Sequence, residues 1–301
     1  MRILTYEVTQ QDEGRAVRVV VPRRFSLGQH AFRRLKMHEA IHVGGVPVRA
    51  DYVLHAGDII QVHLLDDMQA QSAAPAASAA PLLSDMPRSH IRYMDEDLLI
   101  VSKGAPLPTL PAVHIVTPTL REQLIGMLGA DERTFVFHPV NRLDKGTSGL
   151  MCIARHAHAQ RLLTQHLHTG SFIREYLAVT EGIPSVMQGV IDAPIARLGA
   201  GAQRAVRPDG QRAVTHYRVE RVSGNRALIR LRLETGRTHQ IRVHLAHIGC
   251  PIAGDYLYGT ELAAIPGRFA LHSASIRLTQ PITGASLSLD EPLPKELEAL
   301  L

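Results

Sequence analysis

Residues 66–87 interrupt the apolar patterning of the chain, and this break is the strongest constraint on its architecture. The stretch is rich in alanine, serine and proline and has neither a helical nor a strand period. Such a composition is typical of a flexible tether, and Pro75 and Pro81 disfavour a continuous helix. We therefore predict two folded units, residues 1–65 and residues 88–301, joined by a linker at 66–87.

The overall composition restricts the class of protein only moderately. Lys and Arg outnumber Asp and Glu by 33 to 28, for a formal net charge of +5, which permits nucleic-acid binding without proving it. Cys152 and Cys250 lie in apolar sequence and are interpreted as buried thiols in a reducing compartment rather than as a disulfide. Without a signal-peptide core or an apolar run long enough to cross a bilayer, we expect a cytoplasmic protein with no membrane association.

The first unit shows a short alternation of strands and helix. Residues 3–8 predict a strand, and the β-branched residues at 17–21 locally favour another. Residues 28–36 predict an amphipathic helix. The segments 41–48 and 57–62 predict a small hairpin and a returning strand.

Arg33, Arg34 and Lys36 lie largely off the apolar face of that helix and make one of its surfaces basic. A solvated surface is the usual role of such a cluster. We favour contact with RNA phosphates, because a hairpin follows the helix; such contacts would carry little sequence information.

The larger unit begins with a predicted hairpin over residues 91–104 and a predicted helix over 119–128. An apolar strand at 150–154 and a helix at 156–168 follow the stretch 138–150. That stretch, His-Pro-Val-Asn-Arg-Leu-Asp-Lys-Gly-Thr-Ser-Gly-Leu, is the most informative part of the chain.

Asp144 lies between two cations, Arg142 and Lys145, which favour the ionised form of its carboxyl group. Gly146 and Gly149 allow the backbone to turn and to approach a ligand closely. Taken alone, these residues are also compatible with an ordinary turn, in which Asp and Gly are common.

Two later segments carry further polar candidates. Tyr176 lies in a strand pattern at 173–179 and, taken alone, is best interpreted as a half-buried strand tyrosine. Arg237 follows a strand at 227–234 and precedes a predicted helix that Thr238 could cap. The start of a helix stabilises an anion, and a guanidinium there can bind a carboxylate through two hydrogen bonds.

Several of these segments together resemble the motifs of one enzyme family. Arg142-Leu143-Asp144 with Thr147-Ser148-Gly149-Leu150, then Gly-Arg-Thr-His-Gln-Ile-Arg at 236–242 and Gly-Asp-x-x-Tyr-Gly at 254–259, are similar to those of the RluA-type RNA pseudouridine synthases. The family usually has His where this chain has Asn141. The first unit is similar to the S4-like RNA-binding domains that often precede such enzymes.

The resemblance implies an α+β fold, in which a mixed, largely antiparallel central sheet carries flanking helices and loops. It also implies a small S4-like α/β domain at the N-terminus, with a helix over residues 14–22 in place of the strand favoured locally. No cofactor or metal is implied, and neither is an obligatory protein partner, so we expect a monomer.

The implied reaction is the isomerisation of specific uridines of a structured ribosomal or transfer RNA to pseudouridine. The resemblance makes Asp144 the nucleophile, acting on either the sugar or the base, with Arg237 as its ion-pair partner and Tyr176 against the flipped base. Further contacts with RNA or the base are expected from Arg142, Thr147, Gln240, Arg242, Lys103, Arg33, Arg34 and Lys36. Arg230 and Arg232 are interpreted as solvated strand residues.

Two other functions are weighed against this one. A non-catalytic RNA-binding protein with a decayed enzyme domain would need no intact Asp144, Tyr176 or Arg237. A metal hydrolase would have to use His239, His244 and His247, but the sequence has no His-Glu-x-x-His arrangement. Structural or RNA-contacting histidines are the preferred interpretation.

Overall fold

The computed structural model describes residues 2–64, 86–111, 118–132, 134–167 and 169–301. The predicted linker at 66–87 lies outside the described residues, apart from Met86 and Pro87.

The N-terminal unit is a four-stranded antiparallel sheet packed against two helices. Its elements are β1 (Arg2–Glu7), α1 (Val17–Arg24), α2 (Gln29–Met37), β2 (Ile41–Val43), β3 (Val46–Pro47) and β4 (Ile59–Leu64). The strand order is β1-β4-β2-β3. The predicted strand at 3–8, the helix at 28–36 and the hairpin that follows are therefore present.

Residues 17–21 form part of helix α1, so the local prediction of a strand is wrong and the helix implied by the resemblance is right. Val17, Val20 and Val21 are all buried in the small core. Their spacing of three and four residues places them on one helical face, and burying that face outweighs the preference of valine for strands.

The larger unit contains the remaining elements. They are β5 (Ile91–Met94), β6 (Leu98–Lys103), α3 (Leu120–Leu128), β7 (His138–Pro139), β8 (Ser148–Ala154), α4 (Ala157–His166), β9 (Phe172–Glu181), β10 (Gln188–Asp192), β11 (Ile195–Arg197), β12 (Arg204–Val206), β13 (Val214–Ser223), β14 (Arg226–Leu233), α5 (Gln240–His247), β15 (Leu271–Thr279), β16 (Ser286–Asp290) and α6 (Lys295–Glu298).

A ten-stranded sheet forms the centre of this unit, with the order β10-β13-β14-β9-β15-β8-β6-β5 and with β16 and β7 paired to β15 and β8. All the pairings are antiparallel except that of β15 with β8. The strands β11 and β12 form a separate hairpin. The predicted α+β fold is confirmed.

The core explains why two central strands, β6 and β8, consist mostly of consecutive apolar residues. Every residue of β6 and of β8 is buried. A strand covered on both faces needs apolar residues at consecutive positions rather than alternating ones. Full burial of each leucine or isoleucine contributes roughly 1.5–3 kcal/mol, so this pair of strands is a rigid support for the loop that precedes β8.

The two units meet at the turn between β5 and β6. Arg2 Nε donates to the buried Asp97 Oδ1 at 2.9 Å, and His156 and Gln280 also bind this carboxylate. Burial alone would raise the pKa of Asp97, but these partners hold it below its ordinary value. Asp97 is therefore an ionised anchor for the first strand of the N-terminal unit.

Two expectations from composition concern the environment of the chain. Cys152 and Cys250 are both free and buried, as predicted. Across the described ranges, no helix has both the length and the hydrophobicity to cross a membrane. The reducing, cytoplasmic compartment stays a prediction.

Candidate active site

Asp144 lies in the loop between β7 and β8, with its side chain 30% exposed. The loop is fixed to the buried strand behind it, because the Cys152 backbone N–H donates to Asn141 Oδ1 at 2.8 Å. The Thr147 N–H closes the turn on the Asp144 carbonyl oxygen at 3.0 Å. Asn141, which replaces the usual histidine, thus supports the loop, and the carboxylate is presented at its accessible edge.

The glycines of this loop are required by close packing. Gly149 has φ +103°, and a Cβ there would lie 2.3 Å from the Ser273 carbonyl oxygen. A Cβ on Gly146 would lie 2.6 Å from the ring of Phe269. Neither neighbour leaves room for a side chain, so the loop sits directly against β15 and the segment before it.

Arg242 connects the loop to a second carboxylate. Its Nη1 donates to Asp144 Oδ2 at 3.0 Å, while Nε and Nη2 donate to the two carboxylate oxygens of Asp255 at 2.7 and 2.8 Å. Arg242 is 3% exposed and Asp255 is completely buried. A bidentate pair of this kind fixes the plane of the guanidinium, so an N–H of Nη1 is aimed at Asp144.

Aromatic rings complete the surroundings of this guanidinium. The Arg242 Cζ lies 4.1 Å from the centre of the Phe269 ring and 5.0 Å from that of Tyr258. Burial alone would lower the pKa of Arg242, but Asp255 and then Asp144 hold it above its ordinary value. Arg242 is thus a permanent positive charge facing the loop carboxylate.

His239 is a further group beside Asp144. Its Nε2 lies 3.9 Å from Asp144 Oδ2, and its Nδ1 is hydrogen-bonded to the Tyr258 hydroxyl at 2.8 Å. Burial, with Arg242 and Arg204 adding to it, lowers the pKa of His239 even though Asp144 acts in the opposite direction. The ring is therefore neutral near pH 7.

The predicted pairing of Arg237 with Asp144 is wrong. Arg237 Nε donates to the Arg212 carbonyl oxygen at 3.0 Å. The helix starts later than predicted, at Gln240, and the residue before it is His239 with φ +59°, so Thr238 is not its cap. The chain turns at His239, and the arginine that reaches the loop is in the first turn of α5 rather than ahead of it.

Four residues expected to contact RNA or the base are buried, and their contact with RNA stays a prediction. They are Lys103, Thr147, Gln240 and Arg242. Gln240 accepts from the Arg237 N–H at 2.9 Å and donates to the Val214 carbonyl oxygen at 3.0 Å. Its amide orders the segment before α5, and it offers no surface to a phosphate.

Lys103 is the most unusual of these residues. Its Nζ donates to the carbonyl oxygens of Leu107 and Gly104 at 2.8 and 3.0 Å, and lies 3.4 Å from that of Lys145. It therefore ties the segment after β6 to the residue next to Asp144. Burial and nearby Arg268 lower the pKa of Lys103 to about 7, although Asp144 acts to raise it.

This pKa predicts a specific pH dependence of stability. An unfolded chain keeps the ordinary lysine pKa of 10.5, so between about pH 7 and 10.5 the unfolded state binds the extra proton. The free energy of unfolding contributed by Lys103 therefore rises with pH through this window. Urea denaturation measures this effect. The difference in free energy of unfolding between wild type and Lys103→Met should be roughly 2 kcal/mol more favourable to wild type at pH 9 than at pH 7.

The exposed Lys295→Met variant is the control and should run parallel to the wild type over the same pH range. If the Lys103→Met profile also runs parallel, the buried ammonium does not have the depressed pKa.

Tyr176 lies in β9, opposite Ser273 of β15, which in turn pairs with Gly149 at the start of β8. Its side chain is 4% exposed and belongs to the main core. The strand position is as predicted, and contact with a base stays a prediction.

The remaining predicted contacts lie at the surface. Arg142 is exposed in the loop that carries Asp144. Arg33, Arg34 and Lys36 lie along α2, where Arg34 is partly buried. Arg230 is ion-paired with Glu220 and Glu175 rather than simply solvated.

The histidines proposed for a metal site have other partners. His244 is buried, with Nδ1 at 2.8 Å from the Thr215 hydroxyl and Nε2 at 2.9 Å from the Ala193 carbonyl oxygen. In the part of the chain that the structure describes, no group of three His, Cys, Asp or Glu residues is arranged to hold a metal ion.

The geometry agrees with comparisons to known proteins. Residues 97–247 match the RNA pseudouridylate synthase family model. An uncharacterised RNA pseudouridine synthase of Bacillus subtilis, YjbO, is 34% identical over 262 residues, covering 87% of this chain and 89% of the relative. Ribosomal large subunit pseudouridine synthase D of Xanthomonas campestris pv. campestris is 37% identical over 293 residues, covering 90% and 84%.

Among solved structures, human RNA pseudouridylate synthase domain containing 4 superposes with a TM-score of 0.54 at 26% identity, covering 70% of this chain and 90% of that one. The chain therefore belongs to the RNA pseudouridylate synthase family, and within it to the RluA-type enzymes. It is an RNA pseudouridine synthase, an isomerase whose substrate is RNA, which confirms the predicted enzyme class and sets aside a non-catalytic protein.

Sequence reasoning missed three parts of this site. Asp255 and Tyr258 belong to the Gly-Asp-x-x-Tyr-Gly segment that was matched without a role, and Phe269 carried no signal of its own. A buried aspartate needs a cationic partner, so sequence reasoning could have proposed an ion pair for Asp255. The sequence does not show which arginine is that partner.

Proposed function

We propose that this protein converts specific uridines of a structured RNA to pseudouridine by flipping the base and using Asp144 as the nucleophile. The observation that carries the proposal is the accessible Asp144 carboxylate held at 3.0 Å by a buried guanidinium. A carboxylate that is accessible and held in a fixed orientation by a buried cation is suited to act as a nucleophile.

The reaction balances without an external reagent. The glycosidic bond between C1′ and N1 breaks, the uracil rotates, and a bond from C1′ to C5 forms. The proton lost from C5 is matched by the proton gained at N1, so the product is an isomer. Asp144 stabilises the detached fragment as a covalent adduct, either with the sugar or with the base.

Arg242 keeps the carboxylate oriented through this sequence, and Asp255 keeps Arg242 in place. Tyr176 is proposed to face the base, because extrusion costs a few kcal/mol of stacking that an aromatic ring can partly restore. All of these residues come from one chain, so we propose that a single copy suffices.

Ribosomal RNA is the substrate we favour over transfer RNA, because several relatives carry the name ribosomal large subunit pseudouridine synthase D. The test is pseudouridine mapping of ribosomal and transfer RNA incubated with purified protein, using the Asp144→Asn variant as the inactive control. Appearance of pseudouridine at defined ribosomal positions with wild type alone is expected, and its absence from every RNA would refute the proposal.

The N-terminal unit is proposed to be an S4-like domain that binds RNA phosphates. In α2, Arg33 and Lys36 are exposed, whereas Leu35 is buried. Replacing both by Gln should lower the slope of log affinity against log salt by about 1–2 and leave turnover at saturating RNA unchanged.

Arg221→Gln, which removes one exposed arginine paired with Glu298 outside the N-terminal unit, is the control for a general loss of surface charge. An unchanged salt slope in the Arg33→Gln/Lys36→Gln variant would refute the phosphate contacts of α2.

A further inference from the structure

A polar cavity lies near the centre formed by Asp144 and Arg242. It has a volume of about 350 Å³ and opens between the β11–β12 hairpin and the segment 236–238 that leads into α5. Three arginines contribute to its lining, Arg197, Arg204 and Arg237. This is the location of the arginine that sequence reasoning had assigned to Asp144.

The cavity carries an excess of positive charge. Within the described residues, the hydrogen bonds of all three arginine side chains end on backbone carbonyl oxygens, which orient the guanidinium groups without neutralising them. The one acid in the lining, Asp209, is bound at 2.9 and 3.0 Å by Arg207, which is not part of the lining. Three oriented cations without a neutralising acid favour an anionic ligand.

Tyr258 joins this cavity to the catalytic centre. Its hydroxyl accepts from the Arg204 N–H at 2.9 Å and is hydrogen-bonded to His239 at 2.8 Å. His239 in turn lies 3.9 Å from Asp144. A ligand in the cavity is thus separated from the loop carboxylate by two side chains, which places it next to a base held in the centre.

We propose that this cavity binds the phosphodiester of a nucleotide flanking the target uridine, with Arg237 as its main contact. The inference rests on the proposed function, because it takes the RNA strand to run through the Asp144 centre. Guanidinium groups match phosphate oxygens with paired hydrogen bonds, and a volume of this size is in the range of pockets for small ligands. A phosphate held here would set which uridine of a strand reaches Asp144.

The test combines a protein change with a change to one phosphate of the RNA. A ribosomal RNA fragment that the protein binds is prepared with a neutral methylphosphonate at each linkage near the target in turn, and affinity is measured without turnover. At one flanking linkage we expect the wild type to lose about tenfold in affinity. Arg237→Gln should bind the unmodified RNA about tenfold more weakly than wild type. A methylphosphonate at that linkage should not weaken its binding further.

Arg237→Lys keeps the charge but not the paired hydrogen bonds, so its loss of RNA affinity should lie between those of wild type and Arg237→Gln. Unfolding of the variants would not produce this graded order. Arg221→Gln should retain the wild-type pattern at every linkage. The proposal is overturned if Arg237→Gln and wild type respond equally to every methylphosphonate. Because affinity is measured, that outcome is separate from failure of the proposed function, which would appear as lack of pseudouridine with wild-type protein.

Discussion

Replacing Asp144 with Asn is expected to abolish pseudouridine formation while RNA affinity stays within a few fold of wild type. The amide has nearly the same shape but no nucleophilic charge, and loss of a nucleophile typically lowers turnover by more than about 10⁴-fold. Fold stability should change little, because Asp144 is partly exposed and Arg242 keeps both of its bonds to Asp255. Pseudouridine mapping and equilibrium binding to the same RNA measure the two effects separately.

Asp192→Asn is the matched control, since Asp192 is an exposed carboxylate in β10 and should be replaceable without loss of activity. Turnover by Asp144→Asn at the wild-type rate would remove Asp144 from the reaction. A large loss of RNA affinity would instead make it a binding residue.

Replacing Arg242 with Met is expected to have the largest effect on both stability and activity. It leaves the completely buried Asp255 carboxylate with only the backbone N–H groups of Leu257 and Tyr258 as partners. Removing one partner of a buried ion pair typically destabilises a protein by about 3–5 kcal/mol. Urea denaturation measures this loss, and single-turnover assays on the folded fraction measure the loss of catalysis.

The double variant Arg242→Met/Asp255→Asn separates the two consequences. With the buried charge also removed, most of the lost stability should return, whereas activity should not, because Asp144 still lacks its guanidinium. Arg242→Lys should rescue neither fully, since an ammonium cannot reproduce the fork that binds both carboxylates. An Arg242→Met variant as stable as wild type would contradict the arrangement described for Asp255.

Local patterns predicted most of the regular structure around the site. The apolar periodicity of residues 119–128 predicted helix α3, and the structure adds a capping box between Thr119 and Glu122 that the prediction did not include. The apolar run after Gly149 predicted β8, and alternation predicted β14. These elements depend on interactions between residues close in the chain, which is why their sequence carries the signal.

The failures have long-range causes. Judged from the sequence, either Arg237 or Arg242 could reach Asp144. In the structure Arg242 does so, after a left-handed turn at His239 that no local preference predicts. Lys103 and Gln240 have side chains typical of surfaces, but both are buried beside backbone carbonyl groups of residues distant in the chain, Lys145 and Val214. Helix α1 shows the same effect, because its valines are helical only where a sheet covers them.

The bidentate contact between Arg242 and Asp255 is made entirely by side chains of the protein itself. The guanidinium therefore loses its freedom of movement when the chain folds, and not during each catalytic cycle. In the proposed mechanism, an incoming uridine meets a guanidinium that is already held in place. Free energy released by phosphate contacts elsewhere on the RNA is then available for the proposed extrusion of the uracil.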